Sequence, residues 1–598
     1  MKLKRTIISI VALMLAVCLM PTALAATWYL EDGDITVIAD ENGQSVKQGS
    51  NSAVADSDTV ITQRDSEKAT DNTITVSTTD DATANITIED VNINSDGDAI
   101  DVGSSGANIT LEGDNKLNSE YGSGLHVSDG DVTITGSGSL EAGSKNDSNN
   151  NAAIGSHENE AMSGDITIGG DAQVTAVSRD DGAGIGSGDM GEMSGDITIG
   201  DNAQVTAWSE TGGAGIGSGR ESNMSGNITI GGSAQVTAGS NSETAGIGSG
   251  NNGVFTSTGR VVIRDSAKVT AIGENEGAGI GTGEDELMAG MIIIQDNAQV
   301  TAIAGDRAAA IGSDNLDEMT GTIIIIGNAR VTTGILDDDD VYFDYNTKEI
   351  KYTLDENAIG YIGDSKYSNH ESDKGHYIIG PDVTINGISG SDIEALKDYI
   401  NMRLSGENHD GEPENLTKLD VRSENGEFTV TADGEGAVEK ILYGGSENVP
   451  TAPGTYPVTC VVRIGEETIE FQIDTYVVPE PAPQPEPMAH HERIQLYRVA
   501  DKQGRSIAYK AVQKGGVLTI TTDEKEAQLI IEHGGLFALS RQGITKIVFV
   551  TASRKSVISV GAAMEKCSGE FVLLHGYRKV KLTVAGAAVD ADGILIKE

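Results

Sequence analysis

The stretch AGIGSGDMGEMSGDITIGDNAQVTA, residues 183–207, is one copy of a phrase that recurs six times between residues 150 and 335. Its first isoleucine returns every 31 residues, with one step of 33, at Ile154, Ile185, Ile216, Ile247, Ile280 and Ile311. The valine of VTA keeps the same step, at Val174, Val205, Val236, Val269, Val300 and Val331. A fixed period with three short strand-like segments and no helical segment predicts a β-solenoid, in which each repeat forms one coil.

Each repeat supplies three strands, which we name by their letters the GIG, ITI and VTA strands. Because side chains alternate between the two faces of a strand, Ile197 and Ile199 are predicted to point inward and Thr198 outward. In the VTA strand Val205 points inward and Thr206 outward, and in the GIG strand the glycines are predicted to face outward. Stacked coils then place identical residues above one another at about 4.8 Å. The predicted fold is all-β, with a right-handed parallel β-helix of about ten rungs.

The β-helix is predicted to cover residues 26–390, with an N-terminal cap. The next repeat strand after Ile311 is placed at Ile359, so a hairpin insert is expected near 336–354. Five methionines form a column in the longest loop and are predicted to plug the end of the core (Met162, Met193, Met224, Met288 and Met319).

One outward column changes character along the helix. The ITI position is threonine in three repeats and then becomes apolar (Thr167, Thr198, Thr229, Val262, Ile293 and Ile324). A row of exposed isoleucines normally marks a covered surface. We therefore expect the inserted hairpin or the next domain to pack on this face.

The rest of the chain is modular. Residues 391–414 are predicted to form a helical connector, and residues 415–478 alternate like the strands of an immunoglobulin-like β-sandwich. Residues 479–488 are a Pro-rich, semi-rigid linker. Residues 489–598 form a small, basic, β-rich domain, with 16 Lys and Arg against 11 Asp and Glu in a chain of net charge −50.

Residues 1–25 have the pattern of a secretory signal peptide, with a basic start, an apolar stretch and an Ala-Leu-Ala cleavage site. The protein is therefore expected to be secreted, extracellular or retained non-covalently at the cell surface. We expect a monomer with no transmembrane anchor. The strong negative charge makes nucleic acid a poor partner. Cys460 and Cys567 fall in different predicted domains, which favours buried thiols over a disulfide.

Catalytic patterns are weak. Asp180 and Asp181 form the one adjacent carboxylate pair just before a GIG strand in the regular repeats, with no basic companion foreseen beyond Arg179. His126 and His157 are one coil apart, but the sequence offers no third ligand, so no metal site is predicted. No cofactor is expected. Acid-rich loops leave structural calcium open against simple solubility (Asp189, Glu192, Glu284, Asp285, Glu286, Asp317 and Glu318).

The best flat polar surface is the outward side of the VTA strands, with one column of threonines (Thr175, Thr206, Thr237, Thr270, Thr301 and Thr332). Beside it runs a second column (Gln173, Gln204, Gln235, Lys268, Gln299 and Arg330). This grid could hydrogen-bond an extended glycan or order water. It could equally reflect the good fit of threonine to an exposed strand.

The combination of G-A-G-I-G-S-G with D-I-T-I-G-x-x-A-x-V-T-A resembles large exported surface proteins of gut Firmicutes. These carry pectate-lyase-like parallel β-helices, some described as carbohydrate-binding, beside immunoglobulin-like modules. The segment ILYGGSENVPTAPGTYPVTC resembles a bacterial immunoglobulin-like domain. Since the catalytic patterns are weak and the ladder is uniform, we expect a non-enzymatic adhesin-like or carbohydrate-binding protein, with an extracellular polysaccharide or a host or cell-wall glycan as its partner. The alternative is a polysaccharide lyase or glycoside hydrolase of the β-helix class.

Overall fold

The computed structural model describes residues 26–598 except 80–81, 145, 147, 285–286, 314–318, 356–357, 359, 364–374, 397–398, 401–415, 425–426, 435, 465–466, 479–495, 532–534, 567–570, 577–578, 585–586, 590–593 and 597–598. The chain forms two compact units, Met1–Glu480 and Pro481–Glu598. The predicted leader, the Pro-rich linker, Cys567 and most of the predicted helical connector lie outside the described residues.

Three long sheets make up most of the first unit, and each repeat contributes one strand to each sheet in turn. In the regular repeats every strand pairs in parallel with its counterpart one coil away, as Ile197–Ile199 does with Asn227–Ile230. The buried isoleucines, valines and alanines of all three sheets merge into one core. The all-β prediction is confirmed, and the parallel sheets are those expected of a β-helix.

The ITI sheet alternates buried isoleucines with half-buried threonines, as at Ile166–Ile168, because only one face meets the core. Its strands, in sheet order, are Thr27–Tyr29, Thr59–Thr62, Thr83–Glu89, Gly106–Glu112, Val132–Gly136, Ile166–Ile168, Ile197–Ile199, Asn227–Ile230, Arg260–Ile263, Met291–Ile294, Thr322–Ile325, His376–Ile379, Leu416–Glu424 and Glu427–Gly434.

The VTA sheet follows a tight turn after each ITI strand. The turn residue takes a positive φ and is glycine or aspartate, as at Gly170 and Asp201, because these residues tolerate that conformation. The strands are Asn92–Ser95, Asp114–Ser119, Ser139–Ser144, Gln173–Ser178, Gln204–Ser209, Gln235–Ser240, Lys268–Ile272, Gln299–Ala304, Arg330–Asp344, Thr384–Ile385 and Ile388–Ser389, with Glu349–Leu354 paired to Arg330–Asp344.

The GIG sheet has very short strands, and its glycines are buried rather than outward-facing as the sequence predicts. Gly186 has φ +143°, and a Cβ there would lie 1.7 Å from the carbonyl oxygen of Gly217. Close backbone approach, not solvent exposure, therefore demands glycine. The strands are Val54–Ala55, Gly43–Gln48, Ile35–Asp40, Ile74–Thr78, Ile100–Gly103, Leu125–Val127, Ile154–Gly155, Ile185–Gly186, Ile216–Gly217, Ile247–Gly248, Ile280–Gly281, Ile311–Gly312 and Ile362–Gly363.

Two details differ from the sequence prediction. The strand that pairs with Ile311 begins at Ile362, three residues after the predicted Ile359. Pairing also continues beyond residue 390, because Ile400 bridges Ile362 and Leu416–Glu424 pairs with His376–Ile379. A 3-10 helix at Leu30–Asp32 and a helix at Ile393–Leu396 are the helical segments described in this unit.

The methionine column is confirmed as core packing. Its members bridge one another in parallel, and Phe255 fills the one repeat that lacks a methionine. All six side chains are fully buried.

The apolar column of the ITI sheet is covered, as predicted, by the chain that follows the β-helix. Ile293 and Ile324 pack in one cluster with residues such as Leu419 and Val458. This covering segment contains the antiparallel strands Leu416–Glu424 and Glu427–Gly434 and a three-stranded antiparallel sheet of Gly436–Tyr443, Gly454–Ile464 and Glu467–Val478.

The predicted hairpin forms between Arg330–Asp344 and Glu349–Leu354. It does not cover the isoleucine column. Its apolar face packs on a different column at the ends of the VTA strands, made of Val177, Trp208, Ile272 and Ile303. That column has mixed residue types, so the repeat pattern of the sequence does not reveal it.

The second unit holds two five-stranded sheets around its own core. One contains Tyr497–Ala500, Ala527–Ile531, Phe571–His575, Val580–Val584 and Ala587–Ala588. The other contains Lys510–Lys514, Val517–Thr521, Lys546–Val550, Lys555–Ser559 and Leu595–Ile596. Two helices that the sequence analysis missed, Gly535–Arg541 and Val560–Lys566, add to the predicted β-rich fold.

Candidate functional site: a polar ladder beside the hairpin

The predicted ladder residues lie together on one face of the VTA sheet. Thr175 pairs in register with Thr206, and the same register carries the column through Thr237, Thr270 and Thr301 to Thr332. Gln173, Gln204 and Gln235 form the adjacent column, which continues as Lys268, Gln299 and Arg330. The register brings every predicted binding residue into one continuous surface.

The two columns differ in exposure. The side chains of the glutamine column are exposed, while the threonines from Thr175 to Thr301 are half-buried and Thr332 is exposed. Hydroxyl and amide groups both donate and accept hydrogen bonds. Four steps of about 4.8 Å from Thr175 to Thr301 give a polar track of ~19 Å.

The hairpin borders this track and makes it a groove rather than a flat surface. Thr347, Lys348 and Glu349 at the hairpin tip line a cavity of about 720 Å³ together with the threonine and glutamine columns. Lys348 forms an ion pair with Glu141. The sequence predicts the hairpin but not that it lies beside the ladder.

Two further depressions extend the polar surface. One, of about 490 Å³, lies along the turn before the strands and is lined by Asp171, Asn202, Gln204, Ser233, Gln235, Ser266, Lys268 and Gln299. The other, of about 300 Å³, is acid-rich and is lined by Ser66, Glu67, Asp90, Asn92, Asp114, Asn115, Lys116, Ser139 and Glu141. The ladder groove is thus the less acidic part of this surface.

Aromatic side chains are placed differently from what sugar stacking would need. Trp208, the one tryptophan in the repeats, is 1% exposed and serves the hairpin interface. Tyr345 of the hairpin stacks beneath Arg179 at 4.5 Å and donates a hydrogen bond to Glu210. Hydrogen bonding, rather than aromatic stacking, is the chemistry that the groove offers.

The carboxylate pair has a basic companion that the sequence analysis missed. Arg220, one coil away, lies 3.1 Å from the carboxylate of Asp181 and 3.4 Å from that of Asp189, which is fully buried. Burial and the charge of Asp181 raise the pKa of Asp180. Burial also raises the pKa of Asp189, against the opposing effect of Arg220. Arg179, the companion that was foreseen, faces the hairpin instead.

The two histidines also have carboxylate neighbours that the sequence did not reveal. The rings of His126 and His157 stack with centroids 3.8 Å apart and planes 3° apart. Asp98, Asp101 and Glu160 surround them. Burial opposes the charge on His126, but hydrogen bonds to Asp101 and Glu160 outweigh it and raise its pKa to about 9. The uneven early spacing of 25 and 29 residues hid which acids would align with the histidines.

The acid-rich loops proposed for calcium do not gather a cation site within the described residues. Asp189 pairs with Arg220, and Glu192 accepts a hydrogen bond from Ser225. Asp285, Glu286, Asp317 and Glu318 lie outside the described residues. In the part of the chain that the structure describes, the one group of three metal-ligating side chains close enough to share an ion is Asp98, His126 and His157.

The described chain contains no helix that is both long and apolar enough to cross a membrane. Comparison with known protein families, curated proteins and solved structures yields no significant match.

Proposed function

We propose that this chain is an exported, non-enzymatic, adhesin-like protein that binds an extracellular polysaccharide along the ladder groove. The observation that carries the proposal is the uninterrupted register of the threonine and glutamine columns beside the hairpin tip. An extended glycan presents hydroxyl groups at regular intervals, and a track of hydroxyls and amides with a ~4.8 Å repeat can pair with them over several residues.

The surface polarity agrees with a neutral or weakly charged ligand. Around the track the charged side chains include both Lys268 and Lys348 and the acid Glu349. An anionic polymer would also meet the strong negative charge of the chain as a whole, which is −50. A neutral polysaccharide avoids that repulsion.

The remaining modules fit a display role in this proposal. The predicted signal peptide at residues 1–25 directs export, and the right-handed β-helix of about ten rungs holds the groove on a rigid rod. The segment at 415–478 covers the apolar column of the ITI sheet, and the basic domain at 489–598 docks the monomer on an anionic cell-wall polymer. Retention is then non-covalent.

The test is a screen of the purified full chain against immobilised plant, bacterial and host glycans. For each glycan that binds, the affinity of the Thr206→Val/Thr237→Val double variant is then compared with that of the parent protein. The matched control is Thr167→Val/Thr198→Val, which makes the same change on the half-buried outward threonines of the ITI sheet. Loss of binding in the first variant alone supports the proposal.

A second candidate function rests on the cluster of Asp180, Asp181, Asp189 and Arg220. A glycoside hydrolase needs one carboxyl group that stays protonated and another that is ionised. Burial and the charge of Asp181 raise the pKa of Asp180, which favours its protonated form. Release of reducing ends or unsaturated products from the same glycans would favour this alternative, and Asp180→Asn would then abolish product formation.

A further inference from the structure

We propose that Asp98, His126 and His157, together with Asp101, form a binding site for a divalent transition-metal ion of the Zn²⁺ class. The site lies along the GIG sheet, away from the ladder columns, and does not depend on the glycan proposal. It draws on three successive coils: the first supplies the two aspartates, and the next two supply one histidine each.

The ligand atoms converge on one edge of the stacked rings. Nδ1 of His126 lies 2.9 Å from Oδ1 of Asp101 and 3.8 Å from Oδ2 of Asp98. Nε2 of His157 lies 2.8 Å from Oδ1 of Asp98. One ligand atom from each of Asp98, His126 and His157 can be chosen so that all lie within 4.8 Å of one another. These two imidazoles and one carboxylate make a three-ligand set for Zn²⁺, and Asp101, beside His126, offers a fourth.

The opposite edge of the rings carries the support that metal-bound histidines usually have. Oε2 of Glu160 lies 2.8 Å from Nε2 of His126 and 3.6 Å from Nδ1 of His157. A carboxylate that accepts a hydrogen bond from the non-ligating nitrogen fixes the ring and strengthens it as a ligand. Glu160 is placed to do this for His126, whereas the 3.6 Å to His157 is longer than a hydrogen bond.

These side chains depart from the repeat. His126 pairs with Gly155, and Gly155 pairs with Gly186. At the 31-residue step, His157 and Glu160 correspond to Gly188 and Gly191. The coil that contains Gly186, Gly188 and Gly191 therefore folds with glycine at all three positions, so the coil itself does not require these larger side chains.

The donor set selects among cations. Imidazole nitrogen suits Zn²⁺ and its neighbours in the first transition row, whereas Ca²⁺ prefers a shell made of oxygens. Since the two rings are nearly parallel, a shared ion requires them to tilt towards each other. His157, with 32% of its side chain exposed, is the freer ring, while His126 is 10% exposed.

The test is calorimetric titration of the chelator-treated full chain with ZnCl₂, with CaCl₂ in a parallel titration. Two substitutions target the ligands: Asp98→Asn, and His157→Gly, which installs the residue of the regular coils. Asp171→Asn makes a matched change in the depression beside the ladder. The chain also contains His490 and His491 outside the described residues, so the response of the variants identifies the site.

We expect saturable Zn²⁺ binding, loss of that site in Asp98→Asn and His157→Gly, and no change in Asp171→Asn. Glu160→Gln should weaken binding by about 10–100-fold, as for other carboxylates behind ligating histidines. Co²⁺ should give a visible absorption band that the same variants remove. Absence of Zn²⁺ binding, or an affinity that is unchanged in a folded Asp98→Asn or His157→Gly protein, would overturn the proposal and leave a closed set of ion pairs.

Discussion

Ile350 of the inserted hairpin lies over Gly239, beside the ring of Trp208. A Cβ at Gly239 would be 3.1 Å from Cδ1 of Ile350 and 3.0 Å from Cζ3 of Trp208. Trp208 and Ile350 are both buried. Because Gly239 has no side chain, it leaves room for Trp208 of the preceding coil and for the hairpin that borders the groove.

This packing predicts that Ile350→Ala loosens the hairpin. Removal of the buried side chain should cost about 2–4 kcal/mol of local stability, because the surrounding structure relaxes only partly around such a cavity. The hairpin tip should then be cut faster by a protease under native conditions. The control is Tyr342→Ala, since Tyr342 is 52% exposed. Equal cleavage rates in the two variants would contradict the packing.

The covered face of the ITI sheet gives a second prediction. Ile324 is fully buried against the segment that follows the β-helix, whereas Thr198 occupies the same column where it is open. Ile324→Thr should therefore destabilise the docking of residues 416–478 by about 2–4 kcal/mol, through lost apolar burial and a buried hydroxyl.

Thermal unfolding monitored with proteolysis between residues 416 and 478 measures this effect. Thr198→Val is the control and should leave the transition unchanged. An Ile324→Thr protein as resistant to cleavage as the parent would show that the apolar column is not what holds this segment.

Sequence periodicity predicted the repeating core well because 31 residues fix three strands and their inward faces at once. The isoleucine column likewise predicts a covered surface, and the segment after the β-helix covers it. Periodicity does not predict contacts between residues that lie outside the repeat pattern. The hairpin, Trp208 and Gly239 are such elements, and their packing decided the shape of the groove.

In the candidate sites, too, residues that share the repeat period were predictable and residues outside it were not. The threonine and glutamine columns were predictable because they share the period of the core. Arg220 beside Asp181 and Asp98 beside His157 were not, because each is a single departure whose partner depends on coil-to-coil register. The burial of the glycines was missed because alternation says nothing of how closely two backbones approach.

Cys460 should be chemically silent in the folded protein. Its thiol is fully buried, and burial raises its pKa to about 12. The thiolate is the reactive form, so alkylation at pH 8 should be negligible until the segment unfolds. Mass mapping of the Cys460 peptide with and without denaturant checks this, and rapid labelling without denaturant would contradict the buried setting.

His575 predicts a pH dependence in the second unit. Burial, reinforced by the nearby Arg554, lowers the pKa of His575 to about 4. Below about pH 6.5 the unfolded chain binds a proton at this histidine that the folded unit excludes. The contribution of neutral His575 to the free energy of unfolding is therefore complete above about pH 6.5 and is lost as the pH falls towards 4. Calorimetric unfolding of the full chain should show that the unfolding temperature of this unit decreases between pH 7 and pH 4.

The His575→Gln variant is the control for that loss. Its side chain retains hydrogen-bonding capacity towards Thr551 and Ser556 but has no group that titrates in this range. The fall should be shallower in this variant. An identical pH profile in the variant and the parent would show that other groups govern the acid sensitivity.

The most direct test of the central claim is glycan binding by the full chain with the Thr206→Val/Thr237→Val substitution. The ladder account predicts that a polysaccharide bound by the parent loses at least about tenfold in affinity, since two hydroxyl contacts of about 1 kcal/mol each are removed. The Thr167→Val/Thr198→Val control should bind like the parent. Equal affinity in all three proteins, or no binding to any polysaccharide, would contradict the claim that the ladder groove is a glycan site.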